Sequence, residues 1–226
     1  MRTSSAFGAV ALALTIVSFD SRLSATASRV TECDRHTASQ YDHQRVSQPV
    51  NEEKIDLRAA LAACDRALNE EPESARYHFQ LGVVLYLLNR QEDALRSLEK
   101  SAHMGYPAAH YLIGAHYFHP QSRDYKKAAF HLGEASKTGH RDAEFVLGVM
   151  YRKGLGVVND LYAAFQLLKS AADKGKTPAK YLVGEMYFLG EGIRADKELA
   201  RRYFQAAADE GDDDAKKMLR SMRRSR

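Results

Sequence analysis

Six of the nine histidines lie in one stretch: His103, His110, His116, His119, His131 and His140. His116 and His119 stand one helical turn apart, the smallest spacing at which two imidazoles on a helix could share a divalent ion. No cysteine or well-placed carboxylate completes a ligand set around them, so neither a metal site nor any other cofactor is expected. The two cysteines, Cys33 and Cys64, are spaced for neither a zinc site nor a C-x-x-C redox pair. The chain has no G-x-S-x-G, H-E-x-x-H, P-loop or dinucleotide fingerprint, and no catalytic residue is assigned. The remaining chemistry is that of recognition. An aromatic residue stands three positions before each of four glycines, as Phe79, Tyr111, Phe145 and Tyr181, and Tyr86, Phe118, Arg152 and Phe188 stand four positions after them. Flat apolar groups punctuated by Arg152, Lys153, Glu185 and His119 suit the capture of an extended or helical peptide.

These residues are positioned by a repeat. Gly82, Gly114, Gly148 and Gly184 form one column, and Gly105, Gly139, Gly175 and Gly211 a second. Eleven residues before each member of the second column stands an alanine (Ala94, Ala128, Ala164, Ala200), and seven before it a large apolar group (Leu98, Leu132, Leu168, Phe204). Each unit reads as two helices, the first carrying a mid-helix glycine and the second ending at a glycine suited to a left-handed cap. A glycine inside a helix costs about 1 kcal/mol against alanine. Its recurrence implies that two helix backbones approach closely there, with Leu168 or Phe204 filling the space between. In this register His110 falls in the column of Glu144 and Lys180, His116 in that of Met150 and Met186, and His131 in that of Leu167 and Tyr203. The histidines are therefore expected to point in different directions.

The two clearest units run Ala143-Glu144-Phe145-Val146-Leu147-Gly148 through Tyr151 to Gly154-Leu155-Gly156-Val157, and Ala179 through Gly184 and Tyr187 to Gly190-Glu191-Gly192-Ile193. Each ends in an Ala-Ala step, Ala171-Ala172 and Ala207-Ala208, and a closing glycine. This pattern resembles the Sel1-like repeat, a relative of the tetratricopeptide repeat. The resemblance implies an all-α, right-handed α/α superhelical solenoid whose first helices line a concave groove. Asp160 and Asp196 are placed to cap the second helices. The unit at 107–139 has His119 to Asp124 in place of the glycine loop, and the unit at 75–105 is closer to a tetratricopeptide repeat. The units at 142–175 and 178–211 complete a solenoid over 72–226. A capping helix within 51–71 precedes it, and a half-unit at 214–223 ends it, Lys217 and Arg220 replacing Tyr181 and Gly184.

The family resemblance also implies an interaction scaffold, an adaptor or regulator in a bacterial envelope that binds a protein or peptide partner. Its groove residues would be Phe79, Tyr86, Tyr111, Phe118, Phe145, Arg152, Tyr181, Glu185 and Phe188. The aromatics before the glycines either face that groove or are buried between neighbouring repeats. A β-lactamase-like or penicillin-binding hydrolase activity, as attributed to some cysteine-rich relatives, is one alternative, but those relatives have a cysteine pair in each repeat, which the clear repeats here lack. Cell-wall glycan binding on the aromatic ladder is the other alternative.

Residues 1–27 read as a secretory leader: Arg2, an apolar run from Ala6 to Phe19, and Ala25-Thr26-Ala27 as the cleavage site. Its removal takes away Arg2, Arg22 and Asp20, lowering the formal net charge of +4 by one. No membrane span is expected after cleavage, and the expected location is periplasmic or secreted. Export together with an even cysteine count favours a Cys33–Cys64 disulfide, which would staple an irregular arm at 28–50 onto the first helix. The basic cluster Lys216, Lys217, Arg220, Arg223, Arg224 and Arg226 follows three aspartates, as a solvated helix dipole prefers. Without interleaved aromatics it indicates no nucleic-acid partner. The chain is expected to be monomeric.

Overall fold

The computed structural model describes residues 30–37 and 55–224. The leader expected at 1–27 and most of the 28–50 arm lie outside the described residues. Within them the chain is all helical: α1 (Glu32–Thr37), α2 (Leu57–Glu70), α3 (Ala75–Leu87), α4 (Gln91–His103), α5 (Pro107–Phe118), α6 (Tyr125–Lys137), α7 (Arg141–Lys153), α8 (Leu161–Asp173), α9 (Thr177–Leu189), α10 (Lys197–Asp209) and α11 (Asp213–Arg224). The tightest pairings are α3 with α4, α5 with α6, α7 with α8 and α9 with α10, and each second helix packs on the next first helix. This is an α/α solenoid of four helix pairs. Part of the arm expected to be irregular is helical, since α1 seats against both α2 and α3.

The glycine column is the hinge of every pair. A Cβ built on Gly82, Gly114, Gly148 or Gly184 would lie 2.7 to 2.8 Å from Leu98, Leu132, Leu168 or Phe204, the large residue of the same unit. Those four are at most 2% exposed, and Ala94, Ala128, Ala164 and Ala200 are fully buried. Burying a side chain the size of Phe204 contributes roughly 1.5–3 kcal/mol, more than the local helix propensity lost at glycine. Packing therefore wins over propensity.

Aspartates start the second helices. Asp124, Asp160 and Asp196 accept hydrogen bonds from the backbone N–H groups of Lys127, Ala163 and Leu199, which the helix itself cannot satisfy. The glycine loops then set the register between units. A Cβ on Gly156 would lie 2.3 Å from the carbonyl of Tyr125, the first residue of α6, and one on Gly192 would lie 2.2 Å from the carbonyl oxygen of Leu161, the first of α8. Each loop thus rests on the start of the preceding unit's second helix. The earlier units have other residues at positive φ in their loops, Asn89 and Arg123.

The ends are closed differently. At the N-terminus a Cys33–Cys64 disulfide joins α1 to α2, and both cysteines are fully buried. Asp34 on α1, also fully buried, accepts a hydrogen bond from Gln80 Nε2 at 2.7 Å and lies 3.2 Å from Arg76 Nε, both on α3. At the C-terminus α11 buries Ala215 and Met222 while Lys217 and Arg220 face solvent. The position that is glycine inside the array is thereby an exposed arginine at its edge.

Candidate functional site

Besides the packing of each second helix on the next first helix, successive first helices also meet: α5 touches α7, Tyr86 on α3 stands edge-on to His116 on α5 with ring centroids 6.4 Å apart, and Arg152 on α7 bonds Glu185 on α9. No pair of successive second helices makes contact on the scale of α5 with α7.

The column three residues before each glycine packs against the residue that opens the next unit. Phe79 is fully buried with its centroid 5.2 Å from that of Tyr106. Tyr111 stacks on His140 at 4.5 Å, and Lys176 Nζ sits 5.5 Å over the Phe145 ring. Tyr106, His140 and Lys176 are the N-cap residues of α5, α7 and α9. Tyr181 continues the column by packing against Phe204 and donating its hydroxyl to Glu185 Oε1 at 2.9 Å. Burial, then the Glu185 carboxylate, pushes the Tyr181 phenol up to about 12. The expectation of a groove position is thus corrected for Phe79, which has no surface to offer. Tyr111 and Phe145, half-buried, hold unit to unit, whereas Tyr181, also half-buried, packs within its own unit.

The column four residues after each glycine is more open. Tyr86 is 46% exposed, and Phe118 and Phe188 are half-buried, with Phe118 5.7 Å from the ring of Tyr125. Arg152 takes the third place, its Nε donating to Glu191 at 2.7 Å and its Nη1 to Glu185 at 3.0 Å. Partial burial opposes its charge, but the two carboxylates outweigh that and hold the guanidinium above its ordinary value. Arg152 and Glu185 therefore neutralise each other, and the open part of the face is chiefly aromatic.

The structure brings together residues that sequence reasoning had scattered. His110 Nδ1 lies 3.1 Å from His131 Nδ1. His116 instead meets Ser122 Oγ at 3.1 Å, and His119 is the exposed residue that ends α5, so those two do not form a pair. Asp142, which is buried, forms an ion pair with the partly exposed Lys176. Burial works against the Asp142 charge, yet the Lys176 ammonium overrides it and holds the carboxyl below its usual range. The only sequence signal for it was an acid and a base one unit apart. Among the described residues no helix is long and apolar enough to cross a membrane.

The Sel1 repeat family model matches residues 107–140, 141–176 and 177–212. The Sel1 repeat protein of Oxalobacter formigenes is similar to this chain at 25% identity and a TM-score of 0.64, over 80% of this chain and 53% of that one. A protective antigen of uropathogenic Escherichia coli with an SLR fold is similar at 26% identity and a TM-score of 0.63, over 69% of this chain and 34% of that one. The chain spans about half of the first of those two proteins and about a third of the second. No curated protein matches it. The repeat columns and loop glycines fall in the register of the family model, which finds three Sel1 repeats over residues 107–212, and the solved neighbours share the helical fold.

Proposed function

We propose that this protein is a non-catalytic scaffold of the bacterial envelope, capturing a protein or peptide partner on the face built by its first helices. Sel1 repeats generally serve as interaction scaffolds, and the observation that carries the reading here is the open aromatic column. Tyr86, Phe118 and Phe188 recur at one helical position on α3, α5 and α9, while Arg152, which takes that position on α7, is held by Glu185 and Glu191. Aromatic anchors dominate binding energy at such faces because they bury large area at low entropic cost. The buried disulfide supports an oxidising location, as does the leader-like stretch at 1–27.

The test places a photo-crosslinking amino acid at position 86, 188 or 130 and isolates adducts from the native envelope. Phe130 is 61% exposed on α6, a second helix, and serves as the outward-facing control. The expected result is one shared partner at 86 and 188 and none at 130, with Tyr86→Ala/Phe188→Ala lowering its capture about tenfold or more. Equal labelling at all three positions, or capture untouched in the folded double variant, would refute the groove.

A further inference from the structure

The four units differ at one point of their packing. Three residues after the first-helix glycine stand Leu85, Tyr117, Tyr151 and Tyr187, and one residue before the large apolar group of the second helix stand Ser97, His131, Leu167 and Tyr203. In the last three units these two positions fill the space between their helices. Tyr117 and His131 stack with ring centroids 6.4 Å apart and Tyr187 and Tyr203 at 5.7 Å, while Tyr151 and Leu167 pack against one cluster of buried residues. The first unit has a leucine and a serine there instead of rings. What remains between α2, α3 and α4 is a cavity of about 340 Å³, with Leu61, Leu81, Leu85 and Ser97 in its lining.

We propose that this cavity is a binding site for a small amphipathic anion, an aromatic group that ends in a single carboxylate. The aromatic part follows from the other units, two of which stack rings in the corresponding space, and from the three leucines that would cover a ring here. The carboxylate follows from the rim. Arg90, Arg96 and Lys100 line the cavity together with Asp93 and Asp65, so three cations meet two acids and one positive charge is left over. Asp93 is shared: Arg90 Nε donates to one of its oxygens at 2.9 Å, and Arg96 bonds the other. A guanidinium has five N–H donors, so both arginines keep donors for a second carboxylate. Lys100, exposed one turn beyond Arg96 on α4, supplies the third charge.

Size narrows the ligand further. The volume is near the lower end for small-molecule sites and admits one ring with its acid, not an extended chain. Both sources of that chemistry fit, a free aromatic acid or the C-terminal residue of a peptide. None of Tyr86, Phe118 and Phe188 lines the cavity, so the site stands apart from the face proposed to capture a partner.

The experiment titrates N-acetylphenylalanine into the full chain carrying carbon-13 in its leucine methyl groups. The Leu61, Leu81 and Leu85 signals should move saturably, with a Kd of about 1 mM as suits so small a ligand, while those of Leu168 stay in place. N-acetylphenylalaninamide, which lacks the charge, should bind about threefold or more weakly. Leu85→Tyr/Ser97→Tyr, which repeats the Tyr187–Tyr203 pair, should lose the binding and raise the melting temperature by about 2 °C or more. A short peptide ending in phenylalanine separates the sources: tighter binding than the N-acetyl acid supports the site as a reader of chain ends, and weaker binding supports it as one for free acids. Unmoved Leu61, Leu81 and Leu85 signals in the wild-type protein at about 10 mM ligand overturn the site whether or not the variant folds. Equal affinity for acid and amide overturns the anionic class, and undiminished binding by the folded double variant overturns the cavity as its place.

Discussion

His131 shows how one residue's environment sets its chemistry. Its ring is half-buried, meets His110 through Nδ1 and stacks at 6.4 Å from Tyr117. Burial, and then the charge His110 would carry, depress its proton affinity from 6.5 to about 4 in the folded chain. The sign follows from linkage: the unfolded chain binds the proton more readily, so this contribution is complete above about pH 6.5 and is lost as pH falls toward about 4. Discounted for partial exposure, acidification from pH 7 to 5 should cost about 1 kcal/mol through this residue. Melting curves of wild type and His131→Gln across that range test it. The wild-type curve should fall more steeply, and parallel curves would contradict the assignment. Glu134, Lys127 and Lys137 on the same helix, with His110 and His103 opposite, tune the midpoint and do not reverse the sign.

Loops, more than helices, decide how units are spaced. In α7 and α9 the mid-helix glycine brings two helices of one unit together, whereas Gly156 and Gly192 bring one unit onto the start of the previous second helix. Both loop glycines have φ near +69°, a conformation that costs an L-residue about 1–2 kcal/mol, and both abut backbone that cannot rotate away. Gly156→Ala and Gly192→Ala should therefore each cost about 3 kcal/mol or more in urea unfolding, by combining dihedral strain with a displaced neighbour. Gly105→Ala is the comparison, because its φ is also positive but no atom lies within 4 Å of the added carbon. It should cost about 1 kcal/mol. Equal losses at the three sites would show that loop docking does not set the register.

The whole molecule is a linear stack in which each pair holds only its neighbours, so its ends govern fraying. The C-terminal end is closed by an amphipathic helix with a charged outer face. The N-terminal end is closed by covalent and polar links that fasten a six-residue helix, too short to hold by itself. Cross-linking over a separation of 31 residues is worth about 3–4 kcal/mol in the chain-entropy account. Cys33→Ser/Cys64→Ser should therefore free α1 and raise hydrogen exchange in α1 to α3, while α7 to α10 stay protected. Loss of protection throughout the array would show one cooperative unit instead of a stack.

Fold class, columns and caps are legible in the residues alone, because each is a local or periodic demand. A glycine facing a leucine, an aspartate opening a helix and a glycine closing one recur at fixed spacing whatever the surroundings. The disulfide was also legible, since two cysteines leave a single pairing. Which aromatics are available depends on packing between units. Phe79 and Tyr86 lie seven apart on one helix, yet Phe79 is sealed by Tyr106 of the next unit while Tyr86 is open, because the stack offsets successive first helices. The same holds for the buried Asp34 bonded to Gln80 and for His110 facing His131. Their partners come from other helices, and repeat register alone carries no record of the angle at which two helices cross.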